Sequence, residues 1–213
     1  MYAKFKDRST AGKLLCPHLK KQEIVDGIIL ALPRGGVSIG FELASCLQLP
    51  LDVFLAKKIG YPGNPEFAIG SVTLTGTNLN GPAAEVDPAY LAREVARIRQ
   101  QLQDRYAQYY GTRAPLPLTG KTVILVDDGA ATGNTLFGAI EALRQEGQVK
   151  KIIVAIPVAA AAVAKKLKKM TAGLVCLLTP VHLMAIGSFY EDFSPVEDQV
   201  VSALLEQAAA AND

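Results

Sequence analysis

The sequence is short of the residues that metal centres and disulfide frameworks require. Of 213 residues, only His18 and His182 are histidine, and only Cys16, Cys46 and Cys176 are cysteine. Neither histidine has a partner at ligand spacing, so both are expected to be structural. Three scattered cysteines argue against a disulfide framework and against a cysteine zinc site. Cys46 and Cys176 read as core residues. Neither sign of charge dominates: 22 basic and 20 acidic side chains leave a formal +2, which gives no drive toward nucleic acid or a membrane surface. No uninterrupted apolar stretch is long enough to cross a bilayer. The opening "MYAKFKDRSTAGKLL" has charges where a signal peptide needs an apolar run. The expectation is a soluble protein in a reducing, cytoplasmic setting. The sequence also shows no metal-ligand cluster, which leaves a hydrolase or phosphatase on the same kind of sheet without support.

What is present is an alternation of strands and helices. The length suits one domain over 1–213. Asp7 is placed to cap a first helix carrying Ala11, Leu14, Leu15 and Leu19. "GIILAL" (27–32) is a buried strand ending at "PRGG", and "VSIGFELASCL" after it has helical spacing. "LDVFLA" (51–56) is a second strand, closed by Lys57 and Lys58. A Gly/Pro/Asn-rich loop or arm of about 59–86 follows, in which "FAIGSVTLT" has the pattern of a short antiparallel pair and 76–86 reads as loop. Asp87-Pro88 is a helix start, and the helix runs to about Tyr110. Its apolar stripe is Leu91, Val95, Ile98, Leu102 and Tyr106. The flanking Arg93, Arg97, Arg99 and Arg105 fit either a solvated face or a partner-binding, dimer-forming face. After the linker "APLPLTG", "TVILVD" is a strand and a helix spans about 134–146, ending at Gly147. "KIIVAIP" (151–157) and "GLVCLL" (173–178) are strands around an alanine-rich helix, and the tail "AAAAND" is expected to fray. Apolar strands alternating with helices predict an α/β fold: a mainly parallel sheet flanked by helices, with a small hood or arm region.

The most informative stretch is "VILVDDGAATGNT" (123–135). In a parallel sheet, ligands sit beyond the carboxyl ends of the strands, and Asp127 and Asp128 stand at such an end. Two adjacent carboxylates repel, so donors or a cation should offset them; sugar hydroxyls or a bound metal complex would serve. Gly129, Ala130, Ala131 and Gly133 let backbone amides approach a ligand closely. Thr132 and Thr135 add hydroxyls, and Asn134 opens the next helix, whose N-terminus points at the same spot. Together these form an anion nest suited to phosphate.

This stretch resembles the binding motif for 5-phosphoribosyl 1-pyrophosphate (PRPP) of type I phosphoribosyltransferases. It departs mildly at Gly129, where many members carry a larger apolar residue. "LALPRGGVSIGFELA" resembles the family's pyrophosphate loop. "AKKIGYPGNPEFAIGSV" and "FYEDFSPVEDQVV" resemble segments of a bacterial subgroup of the same family. The resemblance implies that Asp127 and Asp128 bind the ribose hydroxyls and that Ala131–Thr135 hold the 5-phosphate. It implies that Arg34, the Gly35 and Gly36 amides, and Lys57 or Lys58 contact the pyrophosphate. Mg²⁺ would arrive on PRPP, with no metal site of the protein's own. A hood segment of about 180–200 would cover the acceptor, a nucleobase. There Tyr190 and Asp192 are the base-site candidates; the same residues also fit a surface turn with hydrophobic anchors. Lys57 and Lys58 fit two solvated lysines as well. The family suggests a possible homodimer. An alternative role on the same fold is a regulator that binds PRPP or nucleotides. Near-neutral charge counts against nucleic acid as its partner.

Overall fold

The computed structural model describes residues 4–79, 81–145 and 149–211. The core is a five-stranded parallel sheet of β1 (Gly27–Ala31), β2 (Leu51–Val53), β6 (Thr122–Val126), β7 (Lys151–Val158) and β8 (Gly173–Leu178), in the order β2-β1-β6-β7-β8. Three further strands, β3 (Ala56–Tyr61), β4 (Asn64–Thr73) and β5 (Thr77–Leu79), form a small antiparallel sheet. Every residue of β1 and β6 is buried, because helices cover both faces. Ile29, Ile124 and Ile153 pack toward α1 (Arg8–Leu19) and α2 (Gly35–Leu47), while Leu30, Leu125 and Val154 pack toward α4 (Asn134–Gln145) and α5 (Ala161–Met170). The period-two alternation of a strand is thus present, hidden in the sequence because both faces are apolar.

From β1 the chain goes first to β2 on one side and later returns to β6 on the other. The strand order therefore reverses between β1 and β6, and the crevice beyond their carboxyl ends is where such sheets place ligands. The turn after β1 is "PRGG" and the turn after β6 is "DDGAATG". In-register pairing of Ala31 with Val126 brings the two turns side by side.

Several local expectations hold for stated physical reasons. Asp7 caps α1 by accepting from the Thr10 amide at 2.7 Å. Asp87 caps α3 (Pro88–Tyr110), accepting from the Ala89 amide at 2.9 Å with proline at the first position. Ile98, Leu102 and Tyr106 of its stripe are buried, and Leu91 and Val95 pack beside them, so the stripe is spent on the chain's own core. Three of its four flanking arginines are tied to neighbours: Arg97 to Glu94, Arg99 to Thr77 of the arm, and Arg105 to Asp198.

Others need correction. β2 stops at Val53; the Phe54 amide turns in to donate to Ala31 O at 2.9 Å, and Lys57 and Lys58 lie inside β3 rather than at the close of a parallel strand. The span 76–86 holds β5 and a 3₁₀ turn over Gly81–Glu85. The alanine tail continues a helix, α6 (Asp198–Ala210), whose Val201, Leu205 and Ala208 are buried against the α2 and α3 side of the core. The expected helix end at Glu146 and Gly147, and the last two residues of the tail, lie outside the described residues. Cys16 and Cys46 form a disulfide between α1 and α2, with Cα atoms 6.4 Å apart. Helix packing brings together two cysteines that sequence spacing kept apart, within the usual bridging range. Cys176 is a free, partly buried thiol that packs against the α4 and α5 side of the core. No helix among the described residues is long and apolar enough to cross a membrane.

Candidate functional site

β6 delivers Asp127 and Asp128 to the end of the sheet, where they line a cavity of about 160 Å³ together with Gly129 through Leu136 and Ile186. The paired acids, the small-residue loop and both threonines thus face one space. Burial and the neighbouring Asp128 charge push the Asp127 carboxyl up to about 8, with the Asp128 amide opposing at 2.8 Å. Such a group favours a proton, a cation or hydroxyl donors.

Asp128 has a cation of its own. Arg8, at the first position of α1, donates from Nε to Asp128 Oδ2 at 2.9 Å, with both side chains largely buried. Nη1 of Arg8 donates to Ser194 O at 2.8 Å, and its guanidinium lies 3.8 Å from the Phe193 ring centre. Arg8 is absent from the residues that the sequence motifs single out. A signal exists: a cation in the first turn of a helix opposes the helix dipole and needs a partner elsewhere.

The loop after the acids is shaped by close approach. Ala130 is pinned to the end of β7, its amide donating to Val158 O at 2.9 Å and its carbonyl accepting from Ala160 at 3.0 Å. Gly133 has φ +74°, and a Cβ there would meet Val163 Cγ1 at 2.6 Å, so only glycine fits. At Gly129 a Cβ would meet Ile186 Cγ2 at 2.7 Å: the hood's Ile186 occupies the space that a side chain at 129 would fill. α4 begins at Asn134, leaving its first amides without intrahelical acceptors. These amides and the hydroxyls of Thr132 and Thr135 can receive an anion.

The "PRGG" turn packs directly on the acids. A Cβ on Gly35 would fall on Asp128 Oδ2, and one on Gly36 would meet Val126 O at 2.7 Å. The Gly36 amide donates to Leu32 O at 3.1 Å. Contrary to expectation, then, it closes the first turn of α2 instead of facing outward. Arg34 lines a second cavity, of about 300 Å³, with Pro33, Phe54, Arg105, Tyr109 and Thr135. Thr135 borders both cavities.

The remaining candidates are placed differently. Tyr190 is buried, its hydroxyl donating to Asp128 O at 2.7 Å. Its ring packs 5.3 Å from Phe5 and 4.9 Å from Phe193, centre to centre. It underpins the acid loop and offers no open ring face. Asp192 is exposed and accepts from the amide and hydroxyl of Ser194 at 2.9 and 2.6 Å, which hold its carboxyl below the usual range. Lys57 donates to Gln101 of α3 at 2.8 Å. Neither Lys57 nor Lys58 lines the two cavities, and as neighbours on β3 they point to opposite faces. No cluster of His, Cys, Asp and Glu among the described residues could hold a metal ion by itself.

This geometry can be set beside known proteins. The family profile described as phosphoribosyl transferase domain matches residues 13–179. A Mycobacterium tuberculosis protein named "Putative phosphoribosyl transferase Rv0571c" is 34% identical over 208 residues, covering 96% of this chain and 47% of that protein. The chain therefore spans about half the length of that relative. A Haemophilus influenzae protein named "Bifunctional protein PyrR" is 36% identical over 133 residues, 62% of this chain and 59% of that protein. The crystal structure of TT1426 from Thermus thermophilus superimposes with a TM-score of 0.85 at 38% identity, covering 96% of this chain and 98% of that one. Arg8 and the hood lie outside the profile's span. With the acids, the cradle and the second turn at one switch point, and the profile running through all three, the chain belongs to the phosphoribosyl transferase family.

Proposed function

We propose that the protein transfers the ribose 5-phosphate group of PRPP to a nucleobase and releases pyrophosphate. The observation that carries this reading is the single cavity lined by Asp127, Asp128 and the whole 129–135 loop. The ribose hydroxyls donate to the two carboxylates. The 5-phosphate sits in the Ala131–Thr135 cradle. Arg34, the Gly35 turn and one of Lys57 or Lys58 contact the pyrophosphate, the lysine after the arm closes. The reaction is a displacement at the anomeric carbon through an oxocarbenium-like state. The protein's part is to align the reactants and stabilise the leaving group, while the carboxylates favour positive charge on the ribose. The donor set fits a Mg²⁺ that is carried by PRPP: two carboxylates, one already engaged by Arg8, are too few for an oxygen-rich site of the protein's own. Bound with PRPP, that ion would offset the charge of the diphosphate. In the hood, Tyr190 supports the acid loop and Asp192 stands at the acceptor side. A cytoplasmic setting is the expectation from the sequence; against it, the Cys16–Cys46 bond is of a kind that is rare in reducing compartments.

A second reading keeps the PRPP site but makes the protein a regulator that binds PRPP or a nucleotide without efficient transfer. Arg8 favours it, because it already occupies Asp128 and stacks on Phe193, a partly buried ring of the hood's aromatic cluster. Phosphorus NMR of the protein with PRPP, Mg²⁺ and a pool of purine and pyrimidine bases separates the two. Pyrophosphate released only when bases are present establishes transfer. PRPP signals broadened without turnover establish binding alone. Unchanged PRPP signals refute both.

A further inference from the structure

The cleft next to the acid cavity holds two guanidiniums, Arg34 from the "PRGG" turn and Arg105 from α3. Each faces one of two consecutive acids at the start of α6. Arg34 Nη1 lies 3.7 Å from Glu197 Oε2, and Arg105 Nη1 donates to Asp198 Oδ1 at 2.8 Å. Tyr109 braces the second pair: its hydroxyl donates to Asp198 Oδ1 at 2.8 Å and receives a longer bond, 3.3 Å, from Arg105. Tyr109 is buried, whereas both arginines remain partly open to solvent. Acids at a helix N-terminus are favourable to that helix in any case, so Glu197 and Asp198 keep a structural role when the arginines leave them.

Two cations facing one cleft, beside a turn packed on the ribose-binding acids, match the chemistry of a diphosphate. Arginine engages phosphate oxygens through paired, charge-assisted hydrogen bonds that a carboxylate partner also satisfies. We propose that Arg105 is a second pyrophosphate-binding residue, and that Glu197 and Asp198 are an internal anion pair that holds Arg34 and Arg105 in place and gives them up to the diphosphate. The inference rests on the PRPP reading and deepens it. The helix at 88–110 then has a part in the site: it carries a substrate cation on the face next to its buried stripe. The acids act as competitors, so removing one frees a cation, whereas removing an arginine removes a ligand contact.

Calorimetric titration tests this with two probes, inorganic pyrophosphate with Mg²⁺ and ribose 5-phosphate, on the wild-type chain and on Arg105→Met, Arg105→Lys and Glu197→Gln. Arg105→Met is expected to weaken pyrophosphate about tenfold or more. Arg105→Lys should recover part of that loss, and Glu197→Gln should bind pyrophosphate more tightly than wild type. Ribose 5-phosphate, held by the acids and the cradle, should bind all four alike. Unchanged pyrophosphate affinity in Arg105→Met, with ribose 5-phosphate bound normally, overturns the inference and leaves the PRPP reading standing. Equal weakening of both ligands also overturns it, since Arg105 then acts through the fold. If Arg105→Met does not fold, the lysine and Glu197 variants decide: weaker pyrophosphate binding in Glu197→Gln contradicts competition. A wild-type chain that binds neither probe removes the PRPP reading and the inference together.

Discussion

The five-stranded sheet and the three-stranded arm use similar residues to different ends. In β1 and β6 every position is buried and the strands read as unbroken apolar runs. In the arm, β3 opens with three exposed residues, and its pairing to β4 shifts register at Ile59, Gly60 and Tyr61. Among the described residues of the arm, Ile59, Ile69 and Val72 are apolar side chains with no exposed surface, and α3 braces the arm through Tyr90 on Gly60 O and Arg99 on Thr77. The sheet is thus a platform whose strand ends are fixed by packing on two faces. The arm rests on α3 and touches α4 along β4 and β5. A site that needs carboxylates placed to a fraction of an ångström belongs on the first; a segment that must admit and enclose a substrate belongs on the second.

Substitutions in each region put that contrast to the test. Leu125→Ala, at a position with no exposed surface in the central strand, should cost about 2–5 kcal/mol in urea unfolding. Asp128→Asn should lower kcat/KM for PRPP about 10²- to 10³-fold by removing charged acceptors from the ribose hydroxyls; wild-type turnover in an active preparation would refute the site. Asp127 predicts a pH effect confined to the sheet end. Without ligand, the folded state keeps its proton up to about pH 8, to be given up when Mg²⁺ and PRPP bind, whereas an unfolded aspartate loses it near ~3.9. Between those values the folded state binds the extra proton, so rising pH removes stability, by at most about 1.4 kcal/mol per unit. Asp127→Asn should therefore flatten the dependence of Tm on pH and raise Tm at pH 8 in the ligand-free protein, while PRPP use falls. A steeper slope in the variant would contradict the assignment. The smallest effect is expected in the arm. Phe67, 48% exposed with its ring centre 5.9 Å from that of Tyr61, should cost no more than about 1 kcal/mol when changed to alanine. A loss equal to that of Leu125→Ala would show the arm to be as integral as the sheet.

The parallel sheet, its helices and the "VILVDDGAATGNT" loop are legible in the order of residues alone. The physical reason is local: continuous apolar runs, caps such as Asp7 and Asp87, and glycines at turns act over a few residues. Gly133 is assigned to the cradle from sequence as one of the small residues that let amides approach a ligand, and the structure adds that its left-handed backbone admits no side chain. The other features of the site depend on how the chain packs. Arg8 meets Asp128 across 120 positions of chain, and Arg105 meets Asp198 across 93. Cys16 meets Cys46 because α1 lies on α2. Tyr190 supports the acid loop because Phe5 and Phe193 enclose its ring. Charge pairing and burial across distant segments leave no periodic trace in the chain. They appear when helices and hood settle on the sheet, and at this site they set which carboxylate is already neutralised and which still seeks a partner.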